Sequence, residues 1–418
     1  MTHPWRPARS PGDWGLLALG FVVVHLGLGW ICVIDPVLNG RPTQPAGDVT
    51  GVYRFWVDQW ATGGPLVGID TDWVYPIGAL PPMLLAGILG DGPYLVVWLV
   101  MVAVLDGVAL LLLARRGRSL AWWWLAATAL LGPVAVSRID AVALPIAVVG
   151  VLLLADRPAV ATVLLTLAAW VKVWPAAIVA ASLLAVRRVV PTLAAAAITS
   201  AAVIGIALLA GAHGSVLSFV SAQATRGLQV EAPAALPWLW SAALGDPDVG
   251  VYYDTDILTF QLRGGGVHTV AALLTPVLAV VLLALLARRR GAEPGAVLAV
   301  TALGLVAAVI ALNKVGSPQY LTWYVAPVLL GLLVLGRRFA VPAGLVLAAA
   351  GLTQVIYPWF YDGVTSPTPW VIAVLTLRNA VELVLLGWCL VVLRTLPGAV
   401  PEARVPEASV GSVVRPPA

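Results

Sequence analysis

Long apolar runs separated by short polar breaks account for most of this chain. A helix needs ~20 consecutive apolar residues to cross a bilayer, and many of the runs approach or exceed that length. They do not alternate in polarity as the strands of a membrane barrel would. The pattern predicts helices over 14–34, 93–114, 119–136, 141–155, 159–171, 176–186, 190–211, 267–287, 294–312, 320–336, 340–357 and 370–393. Two further pieces, 53–61 and 77–90, are short, and the second is interrupted by Pro81-Pro82. They read as interfacial or re-entrant helices. The expectation is an all-α polytopic membrane protein with about 12 transmembrane helices.

Composition supports this reading. The chain is 61% hydrophobic and only 11% charged, with a mean hydropathy of +0.96. A soluble domain has about half apolar and about a quarter charged residues. The net charge of +4 does not signal nucleic acid, because Lys and Arg form short clusters between the apolar runs. These clusters set the topology through the excess of cations on the cytoplasmic side. They are Arg6 and Arg9, Arg115, Arg116 and Arg118, Arg187 and Arg188, Arg288 to Arg290, Arg337 and Arg338, and Arg394. The expected organisation is a cytoplasmic segment 1–13, a transmembrane catalytic domain 14–394, and a disordered cytoplasmic tail 395–418 rich in Pro, Val and Ala. The basic start precedes an uncleaved first helix. Two long loops, 35–92 and 212–266, face outward. Cys32 and Cys389 fall in apolar runs and behave as small hydrophobes, so no disulfide framework is expected.

This topology places Asp48, Arg138, Asp140, Lys172, Arg226, Lys314 and Gln319 on the external side of the plasma membrane. Charge at the bilayer boundary is costly and usually faces a cavity or a function. One external site assembled from several loops explains the set economically. Asp48 could be a catalytic base, since a partly desolvated carboxylate suits proton abstraction from a hydroxyl. It could equally cap the helical stretch that follows it. Asp58, Asp70 and Asp72 are rival carboxylates in the same loop. Asp58 suits a solvated helix face, and Asp70 and Asp72 form a D-x-D that is either a turn or a metal–phosphate site. Lys172, between Trp170 and Trp174, either anchors at the interface or contacts a phosphate. Arg138 and Asp140 either pair with each other or face the site, and Arg226 and Glu231 carry the same ambiguity. Lys314 is a cation on the side where cations are scarce. His25 reads as a satisfied core histidine. Walker A, GxGxxG, zinc-ligand and Ser-His-Asp patterns are all missing from the chain.

Several motifs resemble a known family. Asn313-Lys314-Val315-Gly316-Ser317-Pro318-Gln319-Tyr320-Leu321-Thr322-Trp323-Tyr324 is similar to a segment of GPI mannosyltransferase I. Ser137-Arg138-Ile139-Asp140 and Val171-Lys172-Val173-Trp174-Pro175 resemble segments of that enzyme in the same order. Arg226-Gly227-Leu228-Gln229-Val230-Glu231-Ala232-Pro233 resembles the actinobacterial polyprenyl-phosphomannose-dependent α-mannosyltransferases of phosphatidylinositol mannosides and lipoglycans. Asp48, Tyr53 and Tyr75-Pro76 match the first-loop pattern. The resemblance covers roughly residues 14–390.

It implies a GT-C glycosyltransferase fold with a catalytic acid in the long first external loop. It also implies a polyprenyl-phosphate sugar donor, a lipid-anchored glycan acceptor, and an inverting transfer. Asp48 would be the base. Lys172, Arg226 and Lys314 would contact the donor phosphate, and Tyr53, Arg138, Asp140 and Gln319 would line the substrate site. The eukaryotic enzyme carries a D-x-D at the first-loop acid. This chain has Asp48-Val49-Thr50, so no metal or other cofactor is expected. Two rivals remain: an arabinofuranosyltransferase using a polyprenyl-phosphate pentose, and a flippase of lipid-linked sugars. A transporter favours repeated halves and charges at the membrane midplane. Here no internal repeat is visible and the charges gather on one face.

Overall fold

A computed structural model describes residues 11–38, 45–90, 92–185, 189–222, 226–287 and 292–396. The protein is an all-α polytopic membrane protein. Among the described residues, seven helical stretches are long and apolar enough to cross a bilayer. The clusters at Arg187–Arg188 and Arg288–Arg290, and the tail from 397 on, lie outside the described residues.

Helix α1 (Pro11–Val33) is followed by the single turn α2 (Asp35–Leu38). The first long loop then opens on a π-helical turn, Asp48–Tyr53, that runs into α3 (Arg54–Ala61) and later α4 (Leu80–Ala86). Both short helices fall where interfacial pieces are expected. On α3, Val57 is buried while Phe55 and Trp60 are exposed. Next come α5 (Tyr94–Arg116), α6 (Arg118–Leu131), α7 (Asp140–Leu153), α8 (Pro158–Val171), α9 (Ala176–Ala185) and α10 (Val189–Leu209). Helices α7, α8 and α9 are too short to cross a bilayer unaided. The expected run 119–136 ends early, at Leu131. Gly132 there takes φ 64°, a conformation that suits glycine, and opens the 3₁₀ turn Gly132–Ala135.

The second long loop holds α11 (Ser218–Ser221), α12 (Leu236–Ala243) and an antiparallel hairpin of β1 (Gly250–Asp254) and β2 (Thr259–Arg263). The hydrophobic pattern does not reveal these strands, because each is only five residues long. The chain then forms α13 (Val267–Leu286), α14 (Pro294–Ala311), α15 (Val325–Leu335), α16 (Ala340–Gln354), the turn α17 (Asp362–Thr365) and α18 (Pro369–Thr395).

Helices α7 and α14 form the centre. Nearly every residue of α7 is buried, and α14 packs on α9, α13, α15 and α18. Small residues allow these close contacts. Gly304 of α14 lies under Leu285 and Cys389, where a β-carbon would come within 2.9 Å of Leu285. By contrast, α1, α10 and α13 leave most of their surface exposed, as helices facing lipid do. Cys32 and Cys389 are buried free thiols. His25 lies 3.1 Å from the Asp106 carboxylate on α5 and 3.0 Å from the Phe21 carbonyl, so it is satisfied as expected.

A second, smaller core lies under the hairpin. Leu228, Val230, Leu239, Leu262, Ile356, Val364, Val371 and Ile372 form it. It ties the second long loop and the turn around Ile356–Val364 to the start of α18.

Candidate functional site

The segments that follow α6, α8, α14 and α16 meet the first long loop and the β1–β2 hairpin. Between them opens a polar cavity of about 510 Å³, lined by Asp48, Arg138, Lys172, Arg226 and Gln319 among others. These five site residues expected from the sequence come from separate parts of the chain, and folding brings them together.

Gly47 occupies the N-cap of the π-helical turn and Asp48 is its first residue, so Asp48 does not hold the capping position. Its carboxylate instead lies 3.3 Å from Nε of Arg138 and remains one-third exposed to the cavity. Arg138 is buried. It donates to the Ser137 carbonyl at 3.1 Å and to the Tyr357 hydroxyl at 2.5 Å. Tyr357 in turn donates to the Pro45 carbonyl at 3.0 Å. Burial pulls the Arg138 pKa down, but the Asp48 and Tyr357 contacts outweigh it and the net shift is upward. So the Arg138–Asp140 local pair does not form. Asp140 turns the other way and accepts a hydrogen bond from Trp323 Nε1 at 2.5 Å.

Lys172 follows the last turn of α8, where its ammonium sits 4.4 Å from the centre of the Tyr75 ring, a cation–π contact. An aromatic cluster of Tyr53, Trp56, Trp73 and Trp98 holds Tyr75 in place. Burial lowers the Lys172 pKa, against the opposing charges of Asp140 and Asp48. Tyr53 itself does not face the cavity. It is fully buried and its hydroxyl accepts from the Ile139 backbone N–H at 3.1 Å, propping the Arg138 turn from behind.

Arg226 opens a short extended segment that adds to the hairpin edge. Leu262 N–H donates to the Leu228 carbonyl at 3.0 Å, and Gln229 N–H donates to the Lys314 carbonyl at 2.9 Å. Lys314 thus contributes its backbone; its side chain does not line the cavity. Of the two alternatives for Arg226, pairing with Glu231 is not the one taken. Glu231 accepts from Arg378 of α18 at 2.7 Å and from the Tyr361 hydroxyl at 3.0 Å. Gly316 lies flat on this segment, and a β-carbon there would sit 2.3 Å from the Ala232 nitrogen. Gly316→Ala is therefore expected to displace the segment and destabilise the fold by about 1–3 kcal/mol. A lowered melting temperature with weakened substrate turnover checks this. Unchanged melting would mean that the segment yields freely.

None of the rival acids lines the cavity, and Asp72 is exposed. Asp58 pairs with Arg54 at 3.3 Å on the exposed face of α3. Asp70 accepts from the Leu66 N–H at 2.7 Å, closing a turn. Among the described residues no cluster of three His, Cys, Asp or Glu could hold a metal.

Beside the polar cavity lies an apolar one of about 420 Å³, with Trp174, Ala177, Leu282, Leu286 and Val309 in its wall. Val74, Tyr75, Lys172 and Tyr320 line both. Lys172 thus stands at the doorway between an apolar slot and a polar chamber. Sequence reasoning passed over Tyr320 and Tyr357, and over the Arg378–Glu231 pair. The available signals were the repeated Tyr-Pro dipeptide at 75–76 and 357–358, and two charges four residues apart within the apolar run 370–393.

A helical membrane bundle with a charged chamber is the setting that a membrane-embedded enzyme needs. Residues 73–318 match Glycosyltransferase family 87. The chain belongs to that family and is a membrane glycosyltransferase. Asp48 and Tyr53 precede the matched stretch. Neither the curated proteins nor the solved structures offer a match.

Proposed function

We propose that the protein transfers mannose from a polyprenyl-phosphate donor to a hydroxyl of a lipid-anchored glycan, on the outer face of the plasma membrane, with inversion. The observation that carries this reading is the shared wall at Lys172. A lipid phosphate sugar has an apolar tail, an anionic joint and a polar sugar. The apolar slot, the Lys172 ammonium and the polar chamber follow in that order.

In this mechanism Asp48 accepts the proton of the acceptor hydroxyl as the glycosidic bond forms. The bond between the sugar and the phosphate breaks on the opposite side, and the electron pair leaves with the phosphate. Lys172 and Arg226 stabilise that developing charge. Arg138 orients Asp48. Charge stabilisation of this kind is commonly the largest single contribution to the rate. No metal is required.

The test of the donor is direct. Membranes carrying the protein are given labelled polyprenyl-phosphomannose or polyprenyl-phosphoarabinose with a lipid extract as acceptor. Label transfer from the mannose donor supports the reading, and transfer from the arabinose donor alone replaces it with a pentosyltransferase. Movement of intact donor across the bilayer with no transfer would restore the flippase reading.

Lys172 adds a pH dependence. Its lowered pKa places loss of its charge below the ordinary lysine value of about 10.4. Protonated Lys172 binds phosphate, so donor KM is expected to rise as pH increases through that lowered pKa. In Lys172→Arg the guanidinium stays charged, and the alkaline rise in KM disappears. An unchanged alkaline limb in Lys172→Arg assigns the titration to another group.

A further inference from the structure

The chamber has a second wall that the donor does not use. It is built by the tip of the β1–β2 hairpin and by the turn α17. Four aromatic rings follow one another along it. Tyr253 packs on Phe260 with ring centres 5.0 Å apart, Phe260 on Tyr361 at 6.1 Å, and Tyr361 on Tyr357 at 5.5 Å. The series starts in the open, with Tyr253 47% exposed, and ends at Tyr357, which is 7% exposed. Tyr357 is the residue whose hydroxyl receives the Arg138 hydrogen bond, beside Asp48. A track of aromatic rings, each tilted or edge-on to the next, therefore leads from solvent to the candidate base.

The charges on this wall differ from those on the opposite one. The hairpin tip supplies Asp256, and α17 supplies Asp362. Both are exposed, and both line the chamber. The cations Arg138 and Lys172 belong to other loops, and Arg226 opens the segment that joins the hairpin edge. The hairpin is also held in an unusual shape at its tip, where Leu258 takes φ 52°, uncommon for a residue with a branched side chain.

We propose that this wall is the acceptor subsite, and that it takes an uncharged oligosaccharide of more than one sugar residue. The inference rests on the glycosyl-transfer reading above. Aromatic faces offer large, rigid, amphipathic contact area for the C–H face of a sugar ring. Carboxylates accept hydrogen bonds from neighbouring hydroxyls. An anionic glycan would meet Asp256 and Asp362 and be repelled, which is discrimination by an unfavourable contact. A single sugar would occupy only the inner end, near Tyr357. Each additional residue would reach outward over Tyr361, Phe260 and Tyr253. Donor and acceptor then enter by separate routes, one from the bilayer past Lys172 and one from solvent past Tyr253.

The test measures binding and transfer separately. Purified full-length protein in lipid nanodiscs is titrated with methyl α-mannoside, with a linear methyl mannotrioside, and with decaprenyl phosphate. The trisaccharide is expected to bind more tightly than the monosaccharide. Tyr253→Ala is expected to weaken the trisaccharide by about tenfold, leaving monosaccharide and decaprenyl phosphate affinities in place. The preserved decaprenyl phosphate affinity shows that the variant is folded. Asp256→Asn is expected to improve binding of a sulfated mannotrioside. Equal affinity of the wild type for mono- and trisaccharide overturns the proposal, as does full trisaccharide affinity in Tyr253→Ala. Trisaccharide binding that is lost in Tyr253→Ala, combined with no sugar transfer by the wild type, would uphold the subsite and reject the transferase chemistry proposed for it.

Discussion

Asp48→Asn is expected to lower sugar transfer by about 10²–10⁴-fold, the usual contribution of a positioned general base. The substitution keeps the size of the side chain and one oxygen facing Arg138. It removes the capacity to hold a proton taken from the acceptor. Arg138 loses its anionic partner at 3.3 Å but keeps the Tyr357 hydroxyl and the Ser137 carbonyl. The fold is therefore expected to survive, with donor binding close to that of the wild type. Initial transfer rates at saturating donor, alongside a melting curve for each protein, make the measurement. Retained transfer in a folded Asp48→Asn protein would move the role to Asp256 or Asp362, the other exposed carboxylates lining the chamber. It would not return it to Asp58 or Asp70, which are turned to Arg54 and to the Leu66 N–H.

Arg378→Ala is expected to be the most destabilising single change at the site, by about 3–5 kcal/mol. Arg378 and Glu231 are 2% exposed and Glu382 is 1% exposed. The guanidinium donates to the Glu231 carboxylate at 2.7 Å and to the Glu231 carbonyl at 2.9 Å. It also lies 3.6 Å from Glu382. Its removal leaves two buried carboxylates facing each other with no cation between them. Arg378→Lys keeps the charge but loses the fork that spans side chain and backbone, so it should fall between the two. Glu231→Gln combined with Arg378→Met should cost less than the sum of the single changes, because the partners are lost together. Equilibrium unfolding in mixed micelles measures this series. Similar unfolding of the wild type and Arg378→Ala would show that the network carries no stability. The effect should extend to catalysis, since Glu231 sits in the segment that carries Arg226 and packs on Gly316.

Much of the architecture was legible along the chain. The apolar runs anticipate helices α1, α5, α10, α13, α14 and α18 to within a few residues, because membrane helices satisfy their backbone internally and need only length and apolarity. The interfacial pieces α3 and α4 were visible for the same reason. The hairpin was not. Its five-residue strands are stabilised by the segment at Leu228–Val230 and by the small core against α18, and neither contact leaves a periodic trace. Helix ends also shifted where glycine and proline acted locally, as at Gly132-Pro133.

The chemistry divides along similar lines. Sequence alone determined that the chain lies in the membrane. It also marked out Asp48, Arg138, Lys172, Arg226 and Gln319 as belonging to one site, because a charge at the bilayer boundary is expensive enough to be conspicuous without any structure. Only the tertiary structure decided who pairs with whom. It joined Asp48 to Arg138 rather than Arg138 to Asp140, gave Glu231 to Arg378 rather than to Arg226, and left Tyr53 and Lys314 out of the chamber lining. Those choices depend on contacts between residues far apart in the chain, and such pairings are set by how helices pack, not by any local preference of the residues that make them.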